Sequence, residues 1–562
     1  MALGAILVTQ GLLSDSQLET ARIEQLRAGE RLEQTLARLG IASNEQVLRA
    51  LADELALPFV RLDETEIDEA AVRLVPPRLV FRLRMLPLRI ENDRLLVATS
   101  DPLRLDSFDQ LRVAAGMPIE LLIAEDHDIG AQIRARYGVA GDVLEALEAA
   151  DEHGTAQDSR AEGAEVDDAS EASVVRLVND LLFEAIRERA TDIHIEPYEH
   201  ELHVRYRIDG VMSNAGVPAA IHRFRHAITS RLKIMANLNI AEKRRPQDGR
   251  ITLRHRPNGQ KLQEYDLRLS VIPMLYGEGV VLRILAKDAV MVGLDELGFP
   301  PGLLKDWSAL VARPHGIVLV TGPTGSGKST TLYASLKQIV NGDVKAITVE
   351  DPVEYNVPGV NQIQVNHQVG LDFAAGLRAI LRHDPDIIMI GEIRDGETAN
   401  AAVQASLTGH LVLSTLHTND AAGAATRLLD MGIEPFLVAS TVEGVLAQRL
   451  LRRVCRACAT LREPLPEEVQ AGFTGGSDGL VAHAVGCREC RNSGYRGRIG
   501  CYELLLFDED VRNEVMRRSS SSRICEAARA AGNFTSLRDS AATLVAARMT
   551  TAGEALSSVK IY

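Results

Sequence analysis

Tryptophan occurs once in 562 residues, and aromatic residues make up only 4% of the chain. Cysteines number six, far too few for a disulfide-stapled scaffold of this length. No run of about 20 apolar residues occurs, so no helix is expected to span a membrane. Positive charge is not in excess: 62 Lys and Arg stand against 77 Asp and Glu, a net charge of −15. Wholesale nucleic-acid binding is therefore not expected. The apolar start of the chain has no basic residue before Arg22, so a secretory signal is not expected. A cytoplasmic protein with reduced thiols is.

The acidity is local. Between 142 and 171 stand eleven acidic residues and one basic residue, Arg160, which is −10 of the total. Polar and small residues fill the gaps, so 141–172 reads as an acidic flexible linker. Ahead of it, 1–140 reads as a small α+β domain. Leu3, Leu7, Gly11, Ser14 and Gln17 recur 29 residues later as Leu32, Leu36, Gly40, Ser43 and Gln46. Each unit predicts a short helix, a glycine stop, a capping box and a second helix. Strands are expected in 86–99, with helices following to Tyr137. After the linker, 173–285 predicts an opening helix, alternating strands and a basic helical stretch over 223–245. An interdomain segment, 286–300, leads to 301–562, where strands and helices alternate.

The chemistry gathers in this last region. GIVLVT at 316–321 reads as a buried strand. Gly322, Pro323, Thr324, Gly325, Ser326, Gly327, Lys328 and Ser329 follow, and Thr330 opens a helical pattern. Strand, glycine-rich loop and helix together form a phosphate-binding loop. Glycines let backbone amides turn toward phosphate oxygens, and the helix N-terminus adds positive potential. Lys328 is expected to reach the outer phosphates of ATP, and Ser329 to ligate Mg²⁺. Two further strands end in acids, at Glu350 with Asp351 and at Glu392. Acids at the carboxyl ends of strands in an α/β sheet lie where ligands bind. Gly391 occupies the place of the usual metal-organising aspartate, so the metal-water or polarising work falls to Glu392. His417, at the end of another strand, is expected to sense the terminal phosphate.

Cys455 and Cys458 form one CxxC pair, and Cys487 and Cys490 a second, with 28 residues between them. Four thiolates in two knuckles predict a closed, structural Zn²⁺ site in an insertion over about 453–502. Cys501 and Cys525 have no such pattern and are expected to pack.

In order, the phosphate loop, ITVEDPVEY, DPDIIMIGEIRD and TGHLVLSTLHTND resemble the secretion ATPases of type II secretion and type IV pilus assembly. TDIHIEP at 191–197 and RRPQDGR at 244–250 resemble that family's second N-terminal domain. The resemblance covers about 173–510. It implies a multidomain α/β chain: a RecA-like P-loop ATPase core, a PAS-like domain ahead of it, and assembly as a homohexamer. It further implies that Arg268, Arg283, Arg378 and Arg382 reach the nucleotide phosphates, that Glu350 orients the attacking water, and that Glu392 acts near Mg²⁺. The family's basic residue after Glu278 is replaced by Gly279. The 24-residue units 2–25 and 31–54 resemble a domain that binds cyclic di-GMP. Ala2, Glu33 and Glu54 depart from its pattern, and a glutamate repels a dianionic ligand. A domain that docks on a partner is the competing expectation.

Within the family, GVLAQRL at 444–450 is more like type II (GspE-like) members than pilus-assembly (PilB-like) ones. The expected setting is thus a type II motor that drives pseudopilus assembly and protein export. It would be held peripherally at the inner membrane by a GspL-like cytoplasmic domain and a GspF-like platform. A nucleotide-gated scaffold without turnover and a DNA-moving ATPase are the readings from other classes.

Overall fold

The computed structural model describes residues 3–28, 32–102, 105–138, 141, 143, 168–255, 263–286, 292–532 and 534–559. Ala2, most of the expected linker (144–167) and 287–291 of the expected interdomain segment lie outside them, as does the side chain of Glu33. The chain divides into two compact units, Met1–Asp288 and Ala289–Tyr562. No described helix is long and apolar enough to cross a membrane.

The first unit opens with helices Leu3–Thr9, Asp15–Ala28, Leu32–Arg38 and Asn44–Glu54. The repeat is visible in its physical devices. Gly11 and Gly40 adopt φ of +73° and +68°, the left-handed conformation that ends a helix with least strain. In both units the serine and glutamine side chains exchange bonds with each other's amides: Gln17 N donates to Ser14 Oγ and Ser14 N to Gln17 Oε1, and Ser43 and Gln46 do the same. Leu7 and Leu36, equivalent in the repeat, are both fully buried in one small core.

Strands β1 (Met85–Glu91), β2 (Arg94–Thr99) and β3 (Ile119–Ile123) follow. The expectation of helices alone up to Tyr137 is corrected here. Helices Leu105–Ala115 and Asp126–Tyr137 flank β3, which pairs in parallel with β2. The run IELLI has a β-branched residue at each end, and pairing with β2 outweighs its modest local helix propensity.

The rest of this unit is a six-stranded antiparallel sheet. Its strands are β4 (Asp192–Pro197), β5 (Leu202–Ile208), β6 (Val211–Asn214), β7 (Gln247–His255), β8 (Gln263–Met274) and β9 (Gly277–Ala286), in the order β6-β5-β4-β9-β8-β7. Its apolar face shares a core with helices Asp168–Arg187 and Arg225–Met235. The basic stretch expected to be helical to 245 stops at Met235. Asn237 takes φ +55°, a left-handed conformation that asparagine tolerates and a continuing helix forbids.

In the second unit β10 (Gly316–Thr321), β11 (Ala346–Glu350), β12 (Val360–Gln364), β13 (Ile387–Ile390), β14 (Leu411–Leu416) and β15 (Val442–Val454) form a parallel sheet. The small pair β16 (Thr460–Arg462) and β17 (Val481–His483) stands apart, and β18 (Tyr495–Leu506) closes the edge antiparallel to β15. The order is β12-β11-β13-β14-β10-β15-β18. Along β10, Ile317 and Leu319 belong to one core and Val318 and Val320 to another. The strand is buried on both faces, as the near-continuous apolar run requires. Because β10 to β15 run parallel, their carboxyl ends share one edge. The chain leaves β10 toward β11 on one side and later crosses to β15 on the other, which makes β10 the switch point where such sheets bind ligands.

Candidate nucleotide site and four-cysteine centre

The phosphate loop leaves β10 at Thr321 and enters helix Lys328–Ile339. Gly325 and Gly327 sit at φ +79° and +89°, where a side chain is strained. Pro323, Thr324, Gly325, Ser329 and Thr330 are exposed, while Ser326 is buried. Lys328 Nζ donates to Gly322 O at 2.9 Å and Pro323 O at 3.1 Å. The ammonium is thus folded onto its own loop. Burial lowers its pKa, with Arg449 adding to the effect and Glu392 opposing it.

Glu392 follows β13, and its carboxylate faces β14. Its Oε1 accepts from Arg394 Nη2 at 2.6 Å, and its Oε2 lies 3.2 Å from His417 Nε2. Burial pushes its pKa up, but Arg394 and His417 together outweigh that and hold it below the ordinary carboxylate value. Gly391, in place of an aspartate, follows the last residue of β13 and is tied to its neighbours through its backbone: its amide donates to Val349 O and its carbonyl accepts from Thr415 Oγ1. Next to His417, Thr418 is tied to the phosphate-loop strand, with its amide donating to Thr321 Oγ1 at 2.9 Å. The structure therefore brings Lys328, Glu392 and His417 to one sheet edge.

Glu350 ends β11 on the same edge but is only 4% exposed. Its Oε2 accepts from the Tyr333 hydroxyl, and its Oε1 from Thr348 Oγ1 at 2.6 Å and Gln362 Nε2 at 3.0 Å. Both carboxylate oxygens are engaged by the protein. Tyr333 and Gln362 were not singled out from sequence; a tyrosine one turn into the loop's helix carries no motif signal.

The four arginines divide between the units. Arg378 is exposed and paired with Glu397, and Arg382 Nη1 donates to Arg378 O at 2.7 Å. Arg268 and Arg283 lie on the first unit's sheet. There a single cross-strand row runs Arg250, Arg268, Arg283, Asp192, Arg207. Directly opposed residues share a face, so four arginines and one aspartate line the face away from the apolar core. Arg283 Nε donates to Asp192 Oδ1 at 3.3 Å. Arg250 and Arg207 were missed from sequence, because register across five strands cannot be read from any one of them.

Cys455, Cys458, Cys487 and Cys490 form one cluster, with all sulfurs within 4.8 Å of one another. Cys455–Cys487, Cys458–Cys490 and Cys487–Cys490 sulfurs lie at 3.8, 3.7 and 3.8 Å. Zinc–sulfur bonds of about 2.3 Å in a tetrahedron give edges of about 3.8 Å, so the donor set fits that ion. Gly494 N donates to Cys490 Sγ at 3.2 Å; with Cys487 N, and despite burial, it brings that thiol down to about 7. Cys501 is fully buried and Cys525 partly so.

The family model for "Type II/IV secretion system protein" matches residues 167–557, and the "MshEN domain" model matches 55–143, which lies after the helical repeats. A type IV pilus assembly ATPase PilB of Myxococcus xanthus is 42% identical over 93% of this chain and 92% of its own length. A type II secretion system protein E of Xanthomonas campestris pv. campestris is 43% identical over 94% and 93%. The type II secretion system protein HxcR of Pseudomonas aeruginosa is 52% identical over 68% and 77%. The pilus retraction motor PilT with bound ADP, at 25% identity, covers 67% of this chain and 95% of its own with a TM-score of 0.46. With a complete phosphate loop on the switch-point strand and relatives matched nearly end to end, this chain belongs to the type II/IV secretion system protein family and is an ATPase.

Proposed function

We propose that the chain is the motor ATPase of a type II secretion system, converting ATP hydrolysis into pseudopilus assembly and protein export. One observation carries the chemical part: the phosphate loop, Glu392 and His417 meet at the carboxyl ends of adjacent parallel strands. In this reading Lys328 leaves its own loop carbonyls for the outer phosphates of ATP. Ser329, exposed in the first helical turn, would hold Mg²⁺, which would supply positive charge beside the phosphates. Glu392, kept ionised by Arg394 and His417, would do the metal-water or polarising work near Mg²⁺, and His417 reports the terminal phosphate to β14. Glu350 orients the attacking water only after its carboxylate turns away from Tyr333. Arg268, Arg283, Arg378 and Arg382 grip phosphate oxygens, to which their planar forks are suited.

The domain boundaries follow the same reading: a small N-terminal domain at 1–140, the linker at 141–172, a PAS-like domain at 173–285, the interdomain segment at 286–300, and a RecA-like core from 301 with a zinc-stabilised insertion. A homohexamer, a GspL-like docking partner and a GspF-like platform complete the cytoplasmic machine at the inner membrane. Type II relatives stand at 49–52% identity over 62–69% of the chain, while over nearly the whole chain a type II protein E stands at 43% beside 41–42% for the pilus-assembly relatives; the choice of type II rests on the first group and on GVLAQRL. An N-terminal domain of the MshEN family makes cyclic di-GMP a candidate regulator, against which Glu54 stands as a like-charged neighbour. Deleting the gene in its host should abolish export of secreted enzymes and leave surface pili intact. Loss of pili with export unchanged would reverse the assignment.

A further inference from the structure

The stretch GVLAQRL at 444–450 has no part in the site as read so far. It lies on β15, beside the phosphate-loop strand, where Thr321 pairs with Ala447. The next residue, Gln448, is 2% exposed. Its Oε1 accepts from Thr331 Oγ1 at 2.8 Å. Its Nε2 lies 2.8 Å from where a Cβ on Gly327 would stand, and its carbonyl 2.5 Å from the same point on Gly322. β15 therefore presses against both ends of the phosphate loop.

Arg449 reaches the other way. Its Nη1 donates to Gln448 O at 3.1 Å, and its Nη2 to Asn419 O at 2.7 Å. Asn419 belongs to the short loop that carries His417. Besides the His417–Glu392 contact, that loop has three anchors among the described residues. At its start, Thr418 is bonded to Thr321. In its middle, Asn419 is held by Arg449. At its end, Ala421 N donates at 2.7 Å to Glu503 Oε1. Glu503 is 4% exposed, and its other oxygen accepts from Leu537 N at 3.0 Å. Only the middle anchor also touches the segment lying against Gly322. No carboxylate lies within ion-pair distance of Arg449 among the described residues; burial lowers its pKa, against which Glu503 and Asp420 act from farther off, and its own charge acts on Lys328.

We propose that Arg449 is a positioning residue for ATP hydrolysis, fixing the His417 loop against the phosphate loop so that both meet the terminal phosphate in register. This rests on the reading of 322–329 and His417 given above. The role needs arginine. Two donors in a fixed fork reach carbonyls on two different segments, whereas a lysine ammonium is a single point on a flexible stem. In this reading the phosphate loop holds the diphosphate that ADP and ATP share, and the His417 loop meets only the terminal phosphate of ATP. A displaced His417 loop therefore costs turnover and leaves ADP binding unchanged.

The test uses the full-length protein with Arg449→Lys and Arg449→Gln. Phosphate release gives kcat and KM for ATP, titration with a fluorescent ADP gives the diphosphate affinity, and a melt without nucleotide gives stability. Arg449→Lys should lower kcat about 10-fold or more, as expected for a misplaced reacting group, with ADP affinity and melting midpoint unchanged. Wild-type kcat in Arg449→Lys overturns the proposal. So does a parallel loss of kcat, ADP affinity and stability, which makes Arg449 a general structural staple. Lys328→Ala, run alongside, separates the two levels. If it keeps normal ADP affinity, the phosphate-loop reading itself fails. If it loses ADP while Arg449→Lys behaves as wild type, only the positioning role falls.

Discussion

Replacing Tyr333 by phenylalanine tests the environment of Glu350 directly. The ring packs edge-on against Tyr355 at 6.1 Å, and phenylalanine keeps that contact. What is lost is the hydroxyl, which donates to Glu350 Oε2 and accepts from Glu354 N at 3.2 Å. Thr348 and Gln362 both serve the other oxygen, so Oε2 is left buried without a donor. A hydrogen bond to a buried charged group contributes about 1.5–3 kcal/mol. An expected loss near 2 kcal/mol lowers the melting midpoint by about 4–8 °C in a unit of this size. Calorimetry of the full chain, with Glu350→Gln and the double variant, closes a mutant cycle. The Tyr333→Phe effect should shrink to less than about 1 kcal/mol on the Glu350→Gln background, since a neutral amide binds the hydroxyl more weakly. Two results would refute the reasoning: no measurable loss in the single variant, or an equal loss in both backgrounds.

Cys458→Ser should lower bound zinc below one ion per chain by native mass spectrometry, and unchanged stoichiometry rules out the tetracysteine set. Glu392 has a folded pKa held below its ordinary 4.5. Its contribution to stability is therefore present above pH 4.5 and lost as pH falls through the lowered value. Glu392→Gln should be less stable than wild type at neutral pH, and the gap should close on acidification; a pH-independent gap contradicts the ion-pair account. Arg268→Ala and Arg283→Ala should each cut turnover about 100-fold, the usual cost of removing a preorganised donor from a developing charge. Full activity in both would leave these two arginines without a part in turnover.

Much of this was legible along the chain because the signals were local. The phosphate loop is written in consecutive residues, and its glycines are needed for backbone angles that the structure then shows at Gly325 and Gly327. The helical repeats announced themselves through glycine stops and capping boxes, which act within four residues. The CxxC pairs did the same, each pair being its own knuckle. The strand at Ile119–Ile123 was missed because five apolar and acidic residues carry no period that separates strand from helix; its partner β2 decides the matter.

The sequence by itself determined that a phosphate-loop pattern stands at 322–329 and that four cysteines form two CxxC pairs. Both follow from covalent spacing and the conformational limits of glycine. Only the tertiary structure told the two acids apart. Glu350 and Glu392 look alike as strand-end carboxylates. Burial and three donors hold Glu350 within the protein, while Glu392 stays partly open beside His417. Tertiary structure alone also placed Arg250 and Arg207 in register with Arg268 and Arg283, and Arg449 between the two loops. Those placements depend on which strands lie side by side, and that is settled by the burial of whole apolar faces rather than by any short stretch of chain.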